Sequence, residues 1–76
     1  MPKQPVVSGR EFVRVLEKLG YEFIRQRGSH HIMVNRREGR TIPVPCHANR
    51  PLTKYTLAAL MREAGITADE LRGLLD

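Results

Sequence analysis

A chain of 76 residues makes one small domain that buries only about 60% of its unfolded surface, so an open surface acting on a large polymer fits better than a deep small-molecule pocket. A net charge of +5 favours a polyanionic partner, and the charge is uneven: residues 1–58 hold 11 Lys/Arg against 4 Asp/Glu, whereas residues 59–76 hold 2 against 4. A single cysteine excludes an internal disulfide, no stretch approaches the ~20 apolar residues of a membrane span, and Met1 to Pro5 lacks the apolar core of a signal peptide, which together lead us to expect a cytoplasmic protein without membrane association.

Residues 1–7 carry two prolines and no periodicity, which reads as a short loose arm before a single domain over residues 8–76. Ser8-Gly9-Arg10-Glu11 has the spacing of a capping box, so a helix should follow to about Leu19, with Gly20 as its left-handed stop. Phe12, Leu16 and Leu19, flanked by Val13 and Val15, make its apolar stripe. Arg10, Arg14 and Lys18 recur every four residues on another face, either a solvated face or a ridge that lies along phosphates.

Two segments with strand composition follow, Tyr21 to Arg27 and His30 to Asn35, joined by Gly28-Ser29. A two-residue link with glycine first suits a type II′ hairpin turn. In that register residues 27 and 30 face each other, then 25 and 32, then 23 and 34. His30 then shares a sheet face with Arg25 and Arg27, and His31 points the other way beside Gln26. The same pairing places Phe23, Ile32 and Val34 against the helices and Ile24 and Met33 away from them. Guanidinium groups can hold a phosphate while an imidazole moves protons near neutral pH, so a histidine beside two arginines suits work on a phosphodiester. The Gly28-Ser29 amides add a further anion-holding element.

Arg36 to Gly39 is a polar turn and Arg40 to Val44 a third strand, with Ile42 and Val44 on one face and Pro43 marking an open edge. Pro45 to Leu52 is a loop with Cys46, His47, Asn49 and Arg50. Zinc binding by Cys46-His47 with His30-His31 is disfavoured, because adjacent side chains diverge and no C-x-x-C is present. The same divergence argues against a Cys46–His47 nucleophile pair, and His47 is expected to matter least of the three histidines. A second helix starts between Thr53 and Thr56, with Leu57, Leu60, Met61 and Ala64 as its stripe and Gly65 as its stop. Lys54, helped by Arg50 and the first amides of this helix, offers another anion contact. Thr67-Ala68-Asp69-Glu70 is a second capping box, opening a short last helix through Leu71, Leu74 and Leu75. The order is α-β-β-β-α plus a short helix, an α+β fold with a three-stranded antiparallel sheet and the first two helices on one face.

Ser8-Gly9-Arg10-Glu11, Leu16-Glu17-Lys18-Leu19-Gly20-Tyr21, Arg25-Gln26-Arg27-Gly28-Ser29-His30-His31, Pro43-Val44-Pro45 and Thr56-Leu57 occur in an order that resembles the HicA-type toxins of bacterial and archaeal toxin–antitoxin modules. The resemblance spans about residues 8–75, and the Gly-Ser-His element is its specific part. It implies a double-stranded-RNA-binding-like fold and a ribonuclease that cleaves messenger RNA without metal or other cofactor. It places the catalytic histidine at His30, and the reading of the residues themselves adds Arg25, Arg27, Gly28, Ser29, His31 and Lys54 as RNA contacts. It also implies a HicB-type antitoxin that covers the site, with the chain a monomer when free and part of a hetero-oligomer when silenced. The chain departs from the family pattern at Tyr55, where many members carry glycine. The competing readings are a non-catalytic RNA- or DNA-binding module, with His30 a mere contact, and a protein whose basic face docks an acidic partner.

Overall fold

The structure, a computed structural model, describes residues 5–48 and 50–75. Its elements run α1 (Gly9–Lys18), β1 (Glu22–Arg27), β2 (His30–Asn35), β3 (Arg40–Pro45), α2 (Lys54–Ala64) and α3 (Ala68–Leu74). This is the expected α+β order, α-β-β-β-α with a further helix. The sheet is antiparallel in the order β1-β2-β3, leaving β2 in the centre and an edge on each side.

Local chemistry fixes the helix ends. At α1 the Ser8 amide donates to Glu11 Oε1 (2.9 Å) and the Glu11 amide to Ser8 Oγ (3.2 Å), closing the capping box. At its other end Gly20 takes φ 99° and the Tyr21 amide donates back to the Leu16 carbonyl, which turns the chain straight into β1. Thr53 caps α2, and Gly65 at φ 72° ends it, with the Ile66 amide donating to Met61. Thr67 and Glu70 form the second capping box, at α3.

Phe12, Val15 and Leu16 of α1, Leu57, Leu60 and Met61 of α2, and Leu71 of α3 pack with Met33, Ile42 and Val44 of the sheet. Val7, expected in the loose arm, belongs instead to this core and is fully buried, its carbonyl accepting from the Leu52 amide at 2.7 Å. Residues 1–4 of that expected arm lie outside the described residues, as does Asn49.

The sheet faces differ from the sequence expectation, and the difference decides what the site looks like. The hairpin register is Arg27↔His30 and Arg25↔Ile32 as expected, but a bulge at Ile24 then pairs Phe23 with Met33 rather than with Val34. Met33 is buried against the helices, whereas Ile32 and Val34 lie on the other face with His30. Two constraints explain the inversion. β3 pairs His31 with Val44 and Met33 with Ile42, so the buried Ile42 and Val44 bring the odd-numbered residues of β2 inward with them. The opposite choice would bury Arg25, Arg27 and His30, and a buried unpaired charge costs far more than two half-covered aliphatic side chains return. Phe23 sits on the helix side yet is 48% exposed at the sheet edge, and Ile24 in the bulge is 43% exposed.

Candidate active site

The turn between β1 and β2 has positive φ at Gly28 (58°) and none at Ser29, the signature of the type II′ turn that Gly-Ser suits. Gln26 braces it by donating from Nε2 to the Gly28 carbonyl at 2.8 Å. Beyond the turn, His30 opens the central strand between Arg27 of β1 and Pro45 of β3, exposed on the face without helices. Arg25 lies on the same face, opposite Ile32. Among the described residues neither Arg25 nor Arg27 makes an ion pair or side-chain hydrogen bond, so both guanidinium groups are free to take an anion. By contrast Arg36, Arg40 and Arg72 lie against Glu22, Glu38 and Asp69.

His31 occupies a different environment. It points to the helix side, with Nδ1 2.6 Å from Cys46 Sγ and its ring edge-on to Phe23, the centroids 5.3 Å apart. With Arg10, Val13, Arg14 and Glu17 it lines an open depression of about 300 Å³ between α1 and the sheet. His31 is thus set apart from the His30 face, as the hairpin register required, but its face is the packed one and not the less apolar one expected from Gln26 and Glu22. Along the basic ridge of α1, Arg10 and Arg14 line the His31 depression, and Lys18, which donates to the Leu74 carbonyl at 2.6 Å, shares a second depression with Arg14.

The Cys46–His31 contact brings a thiol and an imidazole together without making a nucleophile. Burial pushes the Cys46 thiol up from its ordinary value; the charge of Arg10 and a backbone hydrogen bond at His31 offset this only in part. The thiol therefore stays protonated at neutral pH, where the reactive form would be the thiolate. Alkylation of Cys46 by iodoacetamide at pH 7 is expected to run slower than that of free cysteine, and a rate at or above that of free cysteine would mean an activated thiol. Among the described residues no three His, Cys, Asp or Glu side chains gather as metal ligands would.

Cys46 and His47 do diverge. The Cys46 amide donates to the Ser29 carbonyl (2.8 Å), which carries the β2–β3 pairing one step past Pro45. Cys46 then turns inward like Val44, and His47 turns back toward the turn, with Nε2 3.4 Å from Ser29 Oγ. The proximity of His47 to Ser29 was missed in the sequence. Carrying the Ile42/Val44 alternation through Pro45 to residue 47 would have found it. His47 also borders an open depression of about 300 Å³ with Arg50, Leu52, Thr53 and Thr56 at the start of α2. Lys54, the first residue of α2, is exposed, its Nζ 5.3 Å from the centre of the Tyr55 ring. Tyr55 is itself 77% exposed, so this pair is held by cation–π attraction on an open surface and not by packing.

Among the described residues no helix is long and apolar enough to cross a membrane. A search of curated proteins finds no match. A family model described as "HicA toxin of bacterial toxin-antitoxin" matches residues 9–66, a span that runs from the first residue of α1 through α2 and includes the whole Gly28–His31 turn. With the α-β-β-β-α order and the Gly-Ser-His turn in place, the chain belongs to the HicA family, the toxin component of a toxin–antitoxin module with an antitoxin as its partner.

Proposed function

We propose that the protein is an endoribonuclease that cleaves messenger RNA, with His30 transferring a proton in the cleavage step. The observation that carries this reading is the exposure of His30 on an open sheet face beside Arg25 and Arg27, whose charges no carboxylate neutralises among the described residues. RNA supplies its own nucleophile. A base takes the 2′-hydroxyl proton, the oxygen attacks phosphorus, and an acid protonates the departing 5′-oxygen. Guanidinium groups can stabilise the charge that builds on the phosphoryl oxygens, so the scheme needs no metal. In this reading the amides of Gly28 and Ser29, next in the chain to His30, and Lys54 at the start of α2 are the further anion contacts. A HicB-type antitoxin seated over the turn would silence so open a site directly. The assignment of His31 as an RNA contact now rests on the depression it shares with Arg10 and Arg14, away from His30.

The test is cleavage of an unstructured messenger fragment by highly purified protein in the presence of a chelator, with the products read for a 2′,3′-cyclic phosphate and a 5′-hydroxyl. Intact RNA would leave a non-catalytic binding module as the better reading.

Binding itself should be electrostatic. Releasing about three counterions from single-stranded RNA gives a log–log slope near −2, or roughly 20-fold weaker binding between about 50 and 200 mM salt. Arg25→Gln and Arg27→Gln should each flatten that slope. Arg62→Gln, in the acidic last quarter of the chain, should leave it unchanged. A slope near zero for the wild type, measured by filter binding, would remove RNA from consideration as the polyanion.

A further inference from the structure

We infer that His47 is the second proton-transfer group of the cleavage step, working with His30 from the loop that follows β3. The inference rests on the ribonuclease reading and supplies what a single imidazole leaves wanting, since the reaction needs one group to accept a proton and another to donate one.

Three observations place His47 there. The β2–β3 register sets Pro45 opposite His30 on the open face, and the Cys46–Ser29 backbone hydrogen bond extends that pairing by one residue. Cys46 is fixed inward by its contact with His31, so alternation returns the next side chain, His47, to the side of Pro45 and His30. Finally, His47 Nε2 lies 3.4 Å from Ser29 Oγ, the hydroxyl of the residue that immediately precedes His30. A serine hydroxyl can accept from or donate to an imidazole nitrogen, so Ser29 can hold the ring in either protonation state. His47 is exposed, as a group that meets a polymer must be. Among the described residues lining the same depression Arg50 is the charged one, the α2 cap Thr53 and Thr56 of α2 bring hydroxyls, and Arg27 lies across His30. None of the described residues that line that depression is a carboxylate.

In the step itself one imidazole takes the 2′-hydroxyl proton as the O2′–P bond forms. The P–O5′ bond breaks, and the other imidazole gives its proton to the departing O5′. The products are a 2′,3′-cyclic phosphate and a 5′-hydroxyl, and the two imidazoles have exchanged protonation states. Ser29 is a positioning residue in this scheme and His47 a catalytic one.

The test uses the full chain and its His47→Gln and His30→Gln variants on two substrates. One is an oligoribonucleotide containing the mapped cleavage site. The other is the same oligomer with sulfur replacing the bridging 5′-oxygen, a leaving group that departs without a proton. Wild type should show a bell-shaped pH–rate profile. Each variant should lose about 10²-fold or more on the oxygen substrate together with one limb of the bell. One of the two, the variant lacking the acid, should recover most of the wild-type rate on the sulfur substrate. A thermal melt at each pH restricts the profile to conditions where the variant is folded, so a lowered melting temperature would not obscure the result. Ser29→Ala should give a smaller loss with both limbs kept. A His47→Gln variant that cleaves the oxygen substrate within about threefold of wild type, with both limbs intact, overturns the inference and leaves the ribonuclease reading standing. Failure of the wild type to cleave RNA overturns both.

Discussion

His30→Ala is expected to lower RNA cleavage by about 10²–10⁴-fold and to lift growth arrest, while the protein melts almost as wild type does. The chemical ground is position: His30 stands on the open face beside Arg25 and Arg27, where a scissile phosphate held by the guanidinium groups would meet the imidazole. The structural ground is that the core lies on the opposite face of the sheet, under Met33, Ile42 and Val44, and loses no contact. A surface substitution of this kind costs within about 0.5 kcal/mol. Growth of cells expressing the variant, cleavage by the purified protein and a thermal melt together decide the matter. Wild-type cleavage with a wild-type melt would remove His30 from the chemistry, and an unfolded variant would make the residue structural.

Gly9→Ala should do the reverse, damaging the fold and through it the site. Glycine-to-alanine in a helix ordinarily stabilises by up to about 1 kcal/mol. Here a Cβ would collide with the Pro45 carbonyl oxygen and come within 2.9 Å of Cys46 Cα and Sγ. The Pro45 oxygen and Cys46 Cα are backbone atoms of one segment, so moving the Cys46 thiol alone does not clear the Cβ, and α1 and the end of β3 must separate. Overpacking of this kind costs about 1–3 kcal/mol. A cost of about 2 kcal/mol lowers the melting temperature by roughly 8–16 °C for a domain of this size. The displaced segment, Pro45–Cys46, leads directly into His47, so cleavage should fall further than the folded fraction does. Gly73→Ala, where a Cβ meets nothing within 4 Å, is the control and should melt no lower than wild type. Equal melting of the two variants would mean that the α1–β3 approach has slack.

The sequence carried the element order because each helix has local start and stop chemistry: the Ser8/Glu11 and Thr67/Glu70 boxes, and glycines 20 and 65 with positive φ. The hairpin register near the turn was legible for the same reason, since Gly28-Ser29 fixes the pairs nearest to it. Farther along, β1 gains a residue at Ile24, and nothing in Glu22 to Arg25 signals where a bulge will fall. The inward face of β2 was misassigned because Ile32 and Val34 are as apolar as Met33. Only the charges of the even face, weighed together with the pairing to Ile42 and Val44, separate the alternatives. At the site, adjacency in sequence hid adjacency in space. Cys46 and His47 point apart, and each finds its partner, His31 and Ser29, across a strand pairing that composition does not encode.

The division of labour between the two sheet faces has a consequence for how such a gene decays under selection. Cells that survive expression of the toxin should carry two kinds of lesion. Changes at Arg25, Arg27, His30 or His47 touch no core residue, so they should leave full-length protein at normal abundance. Changes at Phe12, Leu16, Met33 or Leu57, each fully or almost fully buried, should be recovered as protein that proteases have removed. Immunoblotting a collection of survivors would sort the positions into these classes without any assay of the chemistry, and the abundant class would trace the working surface residue by residue.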